Sequence, residues 1–244
     1  MIIFLIIYLQ PAENNFRTTG IMQELGRIHQ LIIPFMGREI IFNIEVMMMT
    51  WIVISVLLVF GFFATRRASI LPGPVQVLGE LFINLLYDLT EDALGERSEK
   101  YAPLICALFM FLVTCNWIGL FPHLHEPTKD LNTPLSLGIM GFIIAHYTGI
   151  KAKGIGTYLK EYCHPIFLMA PLNVIGELAK VVSISFRLFG NIMGGSIIIL
   201  VVSYLTYSIL LPPFLNFFFV IFIGAIQAFV FTMLTLVYIS VQVH

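Results

Sequence analysis

The chain has 244 residues, of which 59% are hydrophobic and 11% charged, and its mean hydropathy is +0.94. Soluble domains run at about 45 to 50% apolar and about 25% charged, so a water-soluble globule is excluded and an integral membrane protein is indicated. The 13 Lys and Arg against 14 Asp and Glu leave a net charge of −1, with no basic stripe to hold a nucleic acid. Cys106, Cys115 and Cys163 are odd in number and lack metal-ligand spacing, so they read as packed thiols and not as a disulfide framework.

Residues 1–45 read as a polar N-terminal arm, because the apolar start Met1 to Leu9 is too short to span a bilayer and charges are scattered after it. A single membrane domain, 46–244, follows. No charge interrupts 46–65, which ends at Arg66-Arg67 in the manner of a transmembrane helix. Over 75–95, Leu78, Leu81, Phe82, Leu85, Leu86 and Leu89 recur at helical spacing among Glu80, Asp88, Glu91 and Asp92. That pattern predicts an amphipathic helix lying in the membrane interface, too charged to cross it. Two further spans are predicted over 101–122 and 131–150, the second followed by Lys151 and Lys153.

From Leu188 to His244 the chain runs 57 residues without Asp, Glu, Lys or Arg, and Pro212-Pro213 divides this region. Helices are expected over 174–211 and 214–243. A helix over 174–211 would be about 57 Å long against a hydrocarbon core of about 30 Å, which calls for a strong tilt. The expected fold is therefore an all-α integral membrane protein with about five membrane helices and an interfacial amphipathic helix. Its last two helices are long, steeply tilted and paired as a hairpin. The Lys and Arg of the loops favour an outside N-terminus, by seven on the cytoplasmic side to four on the other.

Arg187 carries the chemistry. It lies between Phe186 and Leu188-Phe189, and placing it at membrane depth costs about 2.5 to 3.5 kcal/mol on insertion scales. Glu177 is ten residues away and Lys180 has the wrong sign, so the compensating carboxylate is expected on another chain. Glu177, Lys180, Ile184, Arg187 and Asn191 share one helical face by spacing. Gly190 and Gly194 form a GxxxG, followed by Gly195, which allows close approach of another backbone. On the last helix Gln227 is a lone amide that needs partners for both donor and acceptor. The His123-Leu-His125-Glu126 run reads as a loop cluster, and no nucleotide loop, nucleophile elbow or redox motif points to bond chemistry.

The run Ser183-Ile-Ser-Phe-Arg187-Leu-Phe-Gly-Asn191 with Gly194-Gly195 resembles the signature of subunit a of the rotary F-type ATP synthase. Asp130-Leu-Asn132, Gly149 to Gly156, Pro171-Leu-Asn173 and Ile226-Gln227-Ala-Phe229 reinforce it, and the resemblance covers roughly residues 45 to 244. It implies a proton-conducting stator, without a cofactor, that holds two offset half-channels against a c-ring bearing membrane carboxylates. Peripheral-stalk b subunits and lipid are its other partners, and a bacterial inner membrane is its place.

The resemblance makes Arg187 the essential arginine and sets Asn191 and Gln227 beside the proton path. Asp130 then matches an acidic position near the periplasmic mouth, Ser183 and Glu177 sit toward the cytoplasmic exit, and Gly190, Gly194 and Gly195 meet the ring. Where many relatives carry a carboxylate or histidine nine residues after the arginine, this chain has Ser196, and the partner position on the last helix appears as Val220. Ser196, Ser203, Tyr204, Tyr207 and Asn216, near the hairpin turn, are the candidates to hold water instead.

Overall fold

The structure is a computed structural model that describes residues 30–35, 38–66, 74–121, 124–162, 170–205 and 211–243. The arm that the sequence suggests over 1–45 ends in an antiparallel hairpin of β1 (Gln30–Phe35) and β2 (Arg38–Asn43), with Gln30 opposite Asn43 and Phe35 opposite Arg38. The β-branched pairs Ile32–Ile41 and Ile33–Ile40 supply the strand preference. Residues 1–29 lie outside the described residues.

The membrane domain is all-α. It opens with α1 (Ile44–Arg66), whose Glu45 complements the dipole of its first turn. Next come α2 (Pro74–Leu94), a 3₁₀ turn over Gly95–Arg97, and α3 (Ser98–Trp117), which ends in a second 3₁₀ turn, Ile118–Leu120. The span expected over 101–122 thus starts earlier and tightens at its end. In α2 the expected apolar face is divided: Leu86 is buried, while Leu81, Phe82 and Leu85 remain exposed, a surface suited to lipid.

Asp130 Oδ1 accepts the Asn132 N–H at 3.0 Å at the start of α4 (Asn132–Lys153). The helix closes at Gly154, whose φ of 80° is the left-handed conformation that glycine adopts without strain. The short α5 (Ile155–Tyr162) that follows has no counterpart among the sequence expectations. It is held by Tyr158, whose hydroxyl donates to Gln242 Oε1 at 2.9 Å.

Helix α6 (Ala170–Leu205) has 36 residues and is about 54 Å long. It begins before the expected Val174 because Pro171 falls in the first turn, where a missing N–H costs nothing. It is described as far as Leu205, and residues 206–210 of the expected span to Leu211 lie outside the described residues. Helix α7 (Leu211–Phe217) takes Pro212 and Pro213 into its own first turn for the same reason, so these prolines open the last helix rather than lying between two helices. After α7 come a π turn over Phe218–Ile223 and α8 (Gly224–Val243). Tyr207 and Cys163 lie outside the described residues.

Helix α8 runs through the middle, packed against α3, α4 and α6. Leu112, Leu188, Ala228 and Phe231 form the heart of one apolar cluster, with Leu86 of α2 at its edge. A second cluster joins Ile105, Ala145, Leu236 and Ile239. Helix α1 reaches this body through Val53, against Cys115 and Ile118, and leaves Trp51, Leu58 and Phe63 exposed. Cys106 and Cys115 are free thiols. Among the described residues five helices are long and apolar enough to cross a membrane.

Candidate functional site

Helix α6 has two faces. Val181, Ile184, Ser185, Leu188, Ile192 and Gly195 are buried, and this helical repeat seats α6 on α4 and α8. Ser185 fixes the contact by donating to Pro134 O at 3.1 Å and Val181 O at 2.8 Å. Ser183, Phe186, Arg187, Gly190 and Asn191 are exposed on the other side. The polar face expected from spacing is therefore divided: Ile184 turns into the core, while Arg187 and Asn191 face away from it.

Arg187 has no ion-pair or hydrogen-bond partner among the described residues. Glu177 is engaged with Lys180, Nζ to Oε1 at 2.7 Å, and the same ammonium lies 5.6 Å from the centre of the Tyr238 ring. One turn beyond the arginine, Asn191 Nδ2 donates to Gln227 Oε1 at 2.7 Å and ties α6 to α8. Gln227 is buried, and its Nε2 has no hydrogen-bond partner among the described residues.

The three glycines do not share a direction. A Cβ built at Gly190 or Gly194 would meet nothing within 4 Å, whereas one at Gly195 would stand 2.8 Å from Phe219 Cδ1. Gly195 is thus occupied by its own hairpin, which differs from the ring contact that the sequence pattern suggests for it. The cause is rotation: one residue turns the side-chain direction by about 100°.

Phe219 belongs to the π turn, where the widened ladder leaves carbonyls open to other donors. Asn116 Nδ2 donates to Gly224 O at 2.8 Å and Trp117 Nε1 to Ile221 O at 3.3 Å, both from α3. Asn116 Oδ1 also accepts from the Thr128 hydroxyl at 3.0 Å. A Cβ on Gly224 would stand 3.0 Å from Asn116 Cβ, so a side chain there would press on this approach.

Beside the π turn lies a cavity of about 410 Å³, lined by Ser196, Ser203 and Asn216 from the hairpin, by Asn191, and by His125, Glu126 and Lys129 from the α3–α4 loop. Ser196, Ser203 and Asn216, the serine and amide candidates named above, do meet here, and Val220 lines the same wall. Tyr204 is exposed and is not part of it. Asp130 also stands outside the lining; it bonds to Asn43 Nδ2 and to the Asn132 N–H. Glu126 occupies the wall instead, at 7% exposure. Sequence reasoning missed it, since nothing local marks a loop glutamate as buried.

A family profile described as "ATP synthase A chain" matches residues 47–240. The chain is 37% identical over 195 residues to the ATP synthase subunit a of Moorella thermoacetica, covering 80% of this chain and 88% of that one. It is 35% identical over 196 residues to ATP synthase subunit a 3 of Pelobacter propionicus, covering 78% and 84%. With the ATP synthase subunit a of Campylobacter jejuni strain RM1221 it shares 38% over 184 residues, covering 72% and 80%.

Proposed function

This chain belongs to the ATP synthase A chain family, the multi-pass membrane subunit of a proton-translocating complex, and we propose that it is the stator against which the complex's c-ring turns. In this reading residues 46–244 act as one membrane domain, with the 1–45 arm apart from it. The domain holds two offset half-channels that Arg187 separates.

The observation that carries the reading is Arg187 itself. It is an exposed guanidinium in an apolar helix, without a partner among the described residues. An arginine at membrane depth needs a counter-charge, and Glu177 is engaged with Lys180. A carboxylate carried past this face by a rotating partner meets the need. Gly190 and Gly194, open on the same helix, let a ring helix come close.

The mechanism follows from the chemistry of the two groups. A guanidinium keeps its proton at any accessible pH, so protons cannot pass directly from one half-channel to the other through it. Its charge favours the ionised form of each ring carboxylate that approaches. That carboxylate gives up its proton on the outlet side, near Ser183 and Glu177, and passes Arg187. It is reprotonated on the inlet side, near Asn191 and Gln227. A unit charge moving through 100 mV is worth about 2.3 kcal/mol, and rotation captures it because protons must ride the ring.

The subunit then performs no bond chemistry of its own and needs no cofactor. Its partners are the c-ring, the peripheral-stalk b subunits and lipid. The bacterial relatives support a bacterial inner membrane. Arg187→Ala, in vesicles holding the assembled complex, abolishes proton-driven ATP synthesis on this reading; near-normal synthesis refutes it.

A further inference from the structure

We propose that Glu126 is the proton-relay carboxylate of the inlet half-channel, supplied by the α3–α4 loop to a hairpin that has none of its own. The inference rests on the stator reading above. The hairpin arms between Leu188 and Val243 carry no acid, and Ser196 and Val220 occupy the wall of the cavity. Serine and asparagine orient water but do not take up a proton at neutral pH. A route built from them alone lacks a group that accepts a proton from the aqueous side and passes it on.

Glu126 has the geometry for that step. It is 7% exposed although it belongs to a loop, and it lines the cavity together with Asn191, Ser196 and Ser203. Its Oε2 lies 2.5 Å from Lys129 Nζ, an ion pair whose two members both line the cavity. Lys129 balances the resting charge, and His125 is the other titratable group on this wall.

The fold also reserves the place. A Cβ at Gly119 would overlap the Glu126 carboxyl, with Glu126 Cγ only 2.6 Å away, so the carboxyl fills the space that a side chain at 119 would take. At about 30 Å³ per molecule, the 410 Å³ cavity has room for on the order of ten waters. A hydronium from the aqueous side protonates Glu126, forming an O–H bond and leaving water. The carboxylic acid then gives that proton to cavity water, which carries it toward Asn191 and the Gln227 amide bonded to it. Glu126 is thereby returned to the carboxylate.

The test uses vesicles holding the whole complex, with ATP synthesis driven by an imposed proton gradient and ATP-driven pumping as readouts. Glu126→Gln keeps the shape and loses the titrating group, and is expected to lower both by on the order of 10²-fold with assembly intact. Glu126→Asp, which keeps the acid, is expected to retain most of both. Gly119→Ala, which ejects the carboxyl, should behave like Glu126→Gln. Synthesis retained in Glu126→Gln overturns the proposal, and so does equal loss in Gln and Asp variants, which would make the role one of shape. Arg187→Ala in the same vesicles separates the two readings: if it abolishes synthesis while Glu126→Gln does not, only the relay fails.

Discussion

Two neighbouring glycines on α6 offer a matched experiment. A Cβ at Gly195 would lie 2.8 Å from Phe219 Cδ1, 3.2 Å from Cγ and 3.5 Å from Cβ. Carbon atoms rest at about 3.5 to 4.0 Å, so Phe219 must turn about its Cα–Cβ bond to clear both Cδ1 and Cγ, while its Cβ is already at contact distance. A Cβ at Gly194 meets nothing within 4 Å. Alanine in place of glycine raises helix propensity by about 1 kcal/mol at either position, so the difference between Gly195→Ala and Gly194→Ala isolates the clash. Overpacking of this kind costs about 1 to 3 kcal/mol. Thermal unfolding in detergent should therefore rank Gly194→Ala above Gly195→Ala by that margin. Leucine sharpens the contrast: Gly194→Leu should leave thermal stability near wild type and stop ATP-driven proton pumping, because its side chain enters the face assigned to the ring. Gly195→Leu should reduce accumulation of the folded subunit. Equal stability of the two alanine variants would refute the packing argument, and full pumping with Gly194→Leu would remove that glycine from the ring contact.

Arg187→Lys should fail in proton-driven synthesis as Arg187→Ala does, since a buried ammonium loses its proton more readily than a guanidinium; synthesis rates in reconstituted vesicles decide it. Asn116→Ala should destabilise the chain by about 2 to 4 kcal/mol, because it removes hydrogen bonds to Gly224 O and from Thr128 and opens a cavity in a fully buried site, measurable as a fall in the detergent unfolding temperature. A cryo-EM map of the assembled complex should show α6 and the last helix steeply inclined, since about 54 Å of helix exceeds a core of about 30 Å; upright helices of ordinary length would contradict this.

The helices were legible because membrane spans announce themselves through uninterrupted apolar length, and Arg187 stands out in the sequence because no Asp, Glu, Lys or Arg follows it in the chain. Facing was not legible to the same degree. The spacing that grouped Ile184 with Arg187 could not say which edge of the group α8 would cover, and the glycine pattern could not say that Gly195 turns inward while Gly194 turns out. The π turn escaped as well, since Phe218 to Ile223 is an unbroken apolar run in which an i+5 ladder has no residue signature. It becomes visible only with the donors of Asn116 and Trp117 that meet its carbonyls. Asp130 was singled out within a motif, yet its bonds go to the Asn132 N–H at the start of α4 and to Asn43 Nδ2 rather than into the cavity. Glu126, four residues earlier, reaches the cavity wall through contacts distant in sequence from the hairpin that forms the rest of it.

The placement of buried polar side chains bears on why this architecture tolerates them. Gln227 Nε2 is buried without a hydrogen-bond partner among the described residues, which costs about 1 to 3 kcal/mol, and Glu126 is buried with Lys129 as its counter-ion. A scaffold selected for stability alone would replace both with apolar side chains of similar volume. Here they bracket one polar route: Glu126 and Asn191 line the same cavity, and Asn191 holds Gln227 from the other helix, one turn beyond the outward-facing Arg187. The Gln227 amide leaves one donor position open to water at the far end of that route. On the proposed reading, the stability forgone at these two side chains falls where a proton is taken up and handed on, which a purely structural account of the hairpin does not explain.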